Sequence, residues 1–354
     1  MTWVNDVVQG ILLGGFYGLL ACGLALMFGL MRIINLAHGD LAVLGAYLIY
    51  LLLEHWHVSP FLGLLPVLPV MLGLGYLLQR TILERSLRSG LLVPLLTTFG
   101  LSIVIQNLLQ QSFSPDVQSL GGSAGAVATA SWQITSQLSI SAIGALTLGV
   151  AVLIFGGLQL YLSRTPSGRR MRATAQDPDT AELVGIDSRA VYARATAIAV
   201  AIAAIGGMFL AIRSTFYPYS GPTYLIFAFE AVVIGGLGSS LWGTLAGGIV
   251  LGVAQTIGGQ INPEYPVLAG HLVFLLVLLS PRGGILNQNR RSQWWAFSDG
   301  FGAPMGCTSY PRGSRDSVRR LIFPPLPAAS HPSYATAMAI PFSILLRCNF
   351  SSLN

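Results

Sequence analysis

The sequence predicts an all-α polytopic membrane protein, and three observations carry that expectation. Of 354 residues, 53% are hydrophobic and 9% are charged, against about 25% charged in an ordinary soluble domain. The apolar residues gather into runs close to the roughly 20 residues a bilayer-crossing helix needs. The charged residues sit mainly in the short gaps between those runs.

Taken in order, the runs lie at about 7–30, 35–53, 61–83, 91–110, 138–162, 191–213 and 264–281. A further stretch, 224–258, is interrupted at Gly235-Gly236-Leu237-Gly238. A break of that kind survives in lipid only where protein or a cavity surrounds it. It is read as two half-spans or a re-entrant element near 235–240, which brings the expectation to about eight transmembrane helices. The first run lacks a basic leader and a small-residue cleavage site, and is expected to be retained.

The formal net charge is +6, from 19 basic residues that are all arginine. A basic balance is compatible with nucleic acid, but these arginines punctuate apolar runs as topology signals do, so no nucleic-acid partner is expected. Arg80, Arg85 and Arg88 follow the third run, and Arg164, Arg169, Arg170, Arg172, Arg189 and Arg194 crowd the link between the fifth and sixth. The 112–137 connection has none. Positive residues stay inside, which puts the arginine-rich loops in the cytoplasm and 112–137 outside. Cys22, Cys307 and Cys348 have neither metal-site nor redox spacing. Residues 288–354 carry Trp294-Trp295 and scattered Pro and Arg with no helical period. They are expected to form a largely disordered tail beyond a membrane-spanning domain at 1–287.

Gly10, Gly14 and Gly18 recur at one-turn spacing, which lets a second backbone approach. Asn35, His38 and Asp40 cluster between two apolar runs, where polar groups are costly without partners, water or a ligand. Asn35 is placed to cap the following helix. A plain interfacial turn and a solute-facing role fit these residues equally, and a lone His38 does not indicate a metal. Thr97, Thr98, Ser102, Gln106 and Asn107 form a polar stripe for either interhelical hydrogen bonds or a wet pathway. Glu230 is a carboxylate inside an apolar run and so a candidate functional group, for a proton relay or a substrate amino group, unless it lies near the surface or beside the glycine break.

The loop 163–190 has its own signature. Asp177-Pro178 reads as an N-cap with proline at the first helical position, and Gly185 as a helix stop. The resulting short helix, with Ala181, Glu182 and Leu183, is suited to docking on another protein. No phosphate loop, nucleophile elbow or clustered metal ligand occurs, so no catalytic residue is expected.

These segments resemble the branched-chain amino-acid ABC permease family. The matching residues are Gly14-Gly15-Phe16-Tyr17-Gly18 through Ile34-Asn35-Leu36-Ala37-His38-Gly39, Glu84-Arg85, Thr98-Phe99-Gly100-Leu101-Ser102 with Gln106-Asn107, and the loop from Gly168 to Ile186. Val233 to Gly248 and the closing Pro281-Arg282-Gly283-Gly284-Ile285-Leu286 complete the pattern. The resemblance is closest to the first of the two permeases of such systems. It implies a second permease, cytoplasmic ATP-binding subunits, a periplasmic solute-binding protein and a bacterial inner-membrane location. It also implies that ATP and Mg are used by the partners and no cofactor by this chain. The loop helix, with Arg169, Arg172, Asp177, Ala181, Glu182 and Gly185, becomes a coupling element on the ATPase. Related permeases import urea or short amides, which stands as an alternative substrate class. A self-contained secondary transporter is the other reading, since such proteins also use glycine-broken helices.

Overall fold

The computed structural model describes residues 2–87, 90, 92–113, 115–135, 138–236 and 240–279. Arg88, Gly238, the closing 281–286 motif and the 288–354 tail lie outside the described residues. The chain builds a helical bundle from α1 (Thr2–Met31), α2 (His38–Trp56), α3 (Pro60–Leu87) and α4 (Leu92–Phe113). A hairpin of β1 (Ser131–Thr135) and β2 (Leu138–Ser141) follows. Then come α5 (Ala142–Arg164), the loop helices α6 (Pro166–Gln176) and α7 (Pro178–Leu183), and α8 (Ser188–Arg213). The bundle closes with α9 (Gly221–Gly235), α10 (Leu241–Ile261) and α11 (Pro266–Leu279).

Six of these, α1, α3, α4, α5, α8 and α10, are long and apolar enough to cross a membrane. The protein is a multi-pass helical membrane protein. The expected fifth span starts later than its hydropathy suggested, because residues 138–141 pair as a strand and Ser141 caps α5 by accepting from the Gly144 amide at 3.4 Å. The 224–258 stretch is broken at its glycines as expected, and only its second helix is long enough to cross a membrane. It is a 15-residue helix followed by a 21-residue one, separated at Gly236, whose φ of +94° suits only glycine comfortably.

Contacts sort the helices between two ends. At one, Arg189 reaches Glu84 at 3.2 Å and Arg80 reaches it at 3.6 Å. Leu26 and Leu30 of α1 line a small apolar recess there with Leu162 and Met171. At the other, Gln9 donates to the Ser139 carbonyl at 2.6 Å, the Asn5 side chain accepts from the Ser139 amide, and Gln118 bridges Phe216. α1 therefore runs from the hairpin end to the arginine-rich end.

Glycines set the tightest approach. A methyl on Gly10 would lie 2.6 Å from Val253 Cα, one on Gly14 would overlap Ile249 Cα, and one on Gly18 would meet the Leu245 side chain. From the other side, a methyl on Gly248 would lie 2.6 Å from the Gly18 amide nitrogen. The Gly10-Gly14-Gly18 stripe thus seats α10 directly on the α1 backbone, the small-residue packing that substitutes for hydrophobic drive inside lipid. α3 carries a π-helical turn at Gln79–Leu83, where buried Gln79 accepts from Thr196 of α8 at 2.8 Å.

Candidate functional site

The segment between α1 and α2 turns back into the bundle. Arg32 takes φ +56°, and six residues later His38 contacts the Leu20 carbonyl at 3.1 Å. Leu20 lies eleven residues before the end of α1, about 16 Å back along it at 1.5 Å per residue. α2 therefore begins deep in the bundle. α9 begins at the same depth, since Gly221 sits against Gly39 and Asp40 with no room for a methyl on either glycine.

At this junction the polar side chains of Asn35, His38, Asp40 and Thr98 each make a defined bond. The Leu20 carbonyl accepts, so Nε2 of His38 carries the proton, while Nδ1 is buried and unpaired. Asn35 does not cap α2. Ala37 holds the N-cap position, and the Asn35 side chain accepts from the Ala37 amide at 3.1 Å, closing a side-chain turn ahead of the helix. Asp40, fully buried, accepts from Ser102 at 2.5 Å and from Gln106 at 3.0 Å. It lies in the first turn of α2, where the helix dipole favours an anion. Thr98 accepts from the Leu36 amide at 3.2 Å and donates to Pro94.

Thr98, Ser102 and Gln106 thus face the junction together. Asn107 does not: nine residues from Thr98 is two and a half helical turns, so it points away, exposed, and donates to its own Ile103 carbonyl at 2.7 Å.

A second polar group gathers around Glu230. Its carboxylate is buried within the bundle and not at the surface, with one oxygen on Nδ1 of His271 from α11 and the other without a partner. Phe227 stacks near His271, and its ring centroid is 5.1 Å from that of Tyr17. The Tyr17 hydroxyl donates to Gln255 of α10 at 2.6 Å. Sequence reasoning missed His271 and Gln255. The available signal was a histidine and a glutamine inside otherwise apolar runs.

The arginine-rich end carries the loop helix. Asp177 caps α7 by accepting from the amides of Asp179 and Thr180 and from the Thr180 hydroxyl at 2.6 Å. The Thr180 bonds, hydroxyl first, hold its carboxyl below the usual aspartate value. Gly185 sits at φ +82°, with its amide on the Glu182 carbonyl and the Ile186 amide on that of Ala181, a Schellman stop. Ala181 turns inward and is buried, so it is not part of an outward docking face as its apolar character suggested. Leu183 and Val184 are 86% and 73% exposed. Glu182 and Arg169 are exposed, whereas Arg172 is half-buried beside Met171.

Residues 7–280 match the family described as the branched-chain amino acid transport system / permease component. The chain belongs to that family. This permease is 30% identical over 305 residues to the high-affinity branched-chain amino acid transport system permease protein BraD of Pseudomonas aeruginosa, covering 81% of this chain and 96% of that protein. It is 27% identical to the corresponding LivH of Escherichia coli K12, with the same two coverages. A probable branched-chain amino acid transport permease protein LivH of Methanocaldococcus jannaschii is 27% identical over 68% of this chain and 76% of its own length. The permease therefore unites three features on one bundle: the Asp40 junction, the Glu230 group, and an apolar tip held rigidly at the arginine-rich end.

Proposed function

We propose that the permease is one of two membrane subunits of an ABC importer that carries branched-chain or related hydrophobic amino acids into the cytoplasm across a bacterial inner membrane. The observation that carries this reading is the α7 tip. Leu183 and Val184 stand exposed between an aspartate cap and a glycine stop, on the end of the bundle where arginines collect. Two apolar side chains fixed in water at a capped helix end are suited to a groove in a cytoplasmic ATP-binding subunit. ATP and Mg belong to that subunit, and a periplasmic binding protein delivers the solute to the hairpin end.

The junction where α2 and α9 start is the natural element for rocking, because it joins backbone to backbone at Gly39 and Gly221 and carries its polar load on Asp40. Thr98, Ser102 and Gln106 line it from α4, with Asn35 and His38 below. The names of the relatives support an amino-acid cargo; urea or a short amide is the alternative, and a self-contained carrier is the less economical reading because the capped tip would have no task.

Affinity capture of this chain from its own membranes tests the reading. Recovery of an ATP-binding subunit and a second permease is expected. Recovery of the chain alone, in a detergent that preserves other ABC complexes, would overturn it.

A further inference from the structure

Two side-chain ties join α3 to α8 toward the arginine-rich end, and they run in opposite chain order, as in an antiparallel pair. Gln79 accepts from Thr196 at 2.8 Å, and Glu84 meets Arg189 at 3.2 Å. Arg189 and Thr196 are seven residues apart, so two turns of α8 bring them to one face. The same arithmetic fails on α3. Five residues separate Gln79 from Glu84, and in α geometry that spacing sets two side chains about 140° apart. The π turn at Gln79–Leu83 removes the conflict. In it the Glu84 amide bonds the Gln79 carbonyl, which stacks Glu84 beneath Gln79 and turns it toward α8.

The turn holds this position at a cost. Gln79 keeps its amide nitrogen buried without an acceptor, and a π turn holds one residue more than the α-helix around it. One turn earlier α3 is seated firmly, since a methyl on Gly75 would lie 2.9 Å from Ala197 Cα. Arg189, for its part, belongs to the corner that carries α7. Asp187 caps α8 by accepting from the Arg189 and Ala190 amides at 3.0 and 3.2 Å, and Ser188 donates to the Pro178 carbonyl at 3.4 Å. The starts of α7 and α8 are thereby joined, and a shift of α7 carries Arg189 with it. The Arg189 side chain is 55% exposed and that of Glu84 17%. A pair so open contributes little to stability; its effect is on where the two residues stand.

We propose that Glu84 is the positioning residue that links the α7 loop to α3, and that the π turn ahead of it is the give in that link. Displacing α7 draws Arg189 and with it Glu84. The surplus residue of the turn lets the end of α3 follow while Gly75 stays on α8. This inference rests on the importer reading above, in which α7 seats on an ATP-binding subunit, and names the residues that receive the movement.

The test uses the complete transporter in liposomes, with its second permease, ATP-binding subunits and binding protein. It is scored as leucine taken up per ATP hydrolysed, alongside the thermal midpoint of the same complex. Glu84→Gln and Arg189→Gln are each expected to lower that ratio at least about fivefold, the low end of ordinary coupling between sites, with the midpoint nearly unchanged. The double variant is expected to be no worse than either single one, as two halves of one contact must be. Deleting Thr81, exposed on the turn, puts Glu84 four positions after Gln79, an α-helical spacing that keeps both on the α8 side. That variant is expected to fold at least as stably, to keep the ion pair and still to transport less per ATP, because the give is gone. A wild-type ratio in either charge variant or in the deletion would overturn the link and leave the permease reading intact. So would losses that multiply in the double variant, or a fall in uptake that merely follows a lower midpoint. A wild-type complex that lacks an ATP-binding subunit overturns both.

Discussion

Ser102 of α4 donates its hydroxyl to Asp40 of α2 at 2.5 Å, and Gln106, one turn further along, donates to the other oxygen of the same carboxylate. Few polar ties join α4 to the bundle, and its outer face, with Leu96, Phe99, Ile103 and Leu108, is exposed. The Asp40 bonds therefore decide how α4 is held.

Ser102→Ala removes one donor from a buried carboxylate and is expected to destabilise the protein by about 1–3 kcal/mol. Asn107→Ala, which loses only a bond to its own helix, is expected to change stability by less than about 0.5 kcal/mol. Thermal unfolding of the two variants in the same detergent checks the pair, and equal midpoints would contradict the assignment of Ser102 to the junction.

Gly14→Leu places a side chain where Ile249 Cα already lies. Accommodating it requires α1 and α10 to separate, an overpacking cost at or above the roughly 1–3 kcal/mol usual for cores. Loss of monodisperse protein on size exclusion is expected. Gly149→Leu on α5, where nothing lies within 4 Å of the added carbon, is expected to behave as wild type.

Gly185→Val tests the loop helix. Open space surrounds the added carbon, so the change acts through the backbone at φ +82° and not through a clash. The strain is on the order of 1–2 kcal/mol, enough to unseat the α7 stop without disturbing the spans. Normal abundance with strongly reduced uptake is expected, and normal uptake at normal abundance would remove α7 from the coupling path.

Asp177 gives a pH dependence with a defined sign. Its folded carboxyl titrates below the ordinary value of 3.8, so the cap contributes stability above that value and loses it as pH falls through the lower folded one. Amide exchange at Asp179 and Thr180 is therefore expected to stay protected from neutral pH down to the ordinary aspartate range and to rise only in stronger acid. Asp177→Asn, whose amide oxygen still accepts, is expected to abolish that acid transition. A transition at or above the ordinary aspartate value would contradict the capped geometry.

Hydropathy made the long spans legible because lipid leaves one option, a helix with every backbone group paired within itself. It also located α2, at 35–53, although His38, Asp40 and Glu54 dilute that otherwise apolar segment. Local chemistry was equally readable at Asp177 and Gly185, where a side-chain oxygen and a left-handed turn act within a few residues. What depended on a distant partner was not. Nothing near Glu230 in sequence announces His271, and nothing near Asp40 announces Ser102. Asn107 entered the stripe because its neighbours were polar, although its angular position on α4 excludes it. Ala181 was read as a docking residue because spacing says that a residue is apolar but not which side of a short helix the rest of the chain will cover.

The glycine seam between α1 and α10 has a further consequence during synthesis. Gly14 and Ile249 are separated by more than 200 residues, and ribosomes add roughly 5–20 residues per second. On the order of 10–50 s therefore passes between insertion of the first helix and arrival of its mate. During that interval the bare backbone stripe of α1 is available to any small-residue helix in the translocon or to a chaperone. Closure of the bundle is thus a late, long-range event, and the first helix spends its early life as an unclaimed adhesive surface.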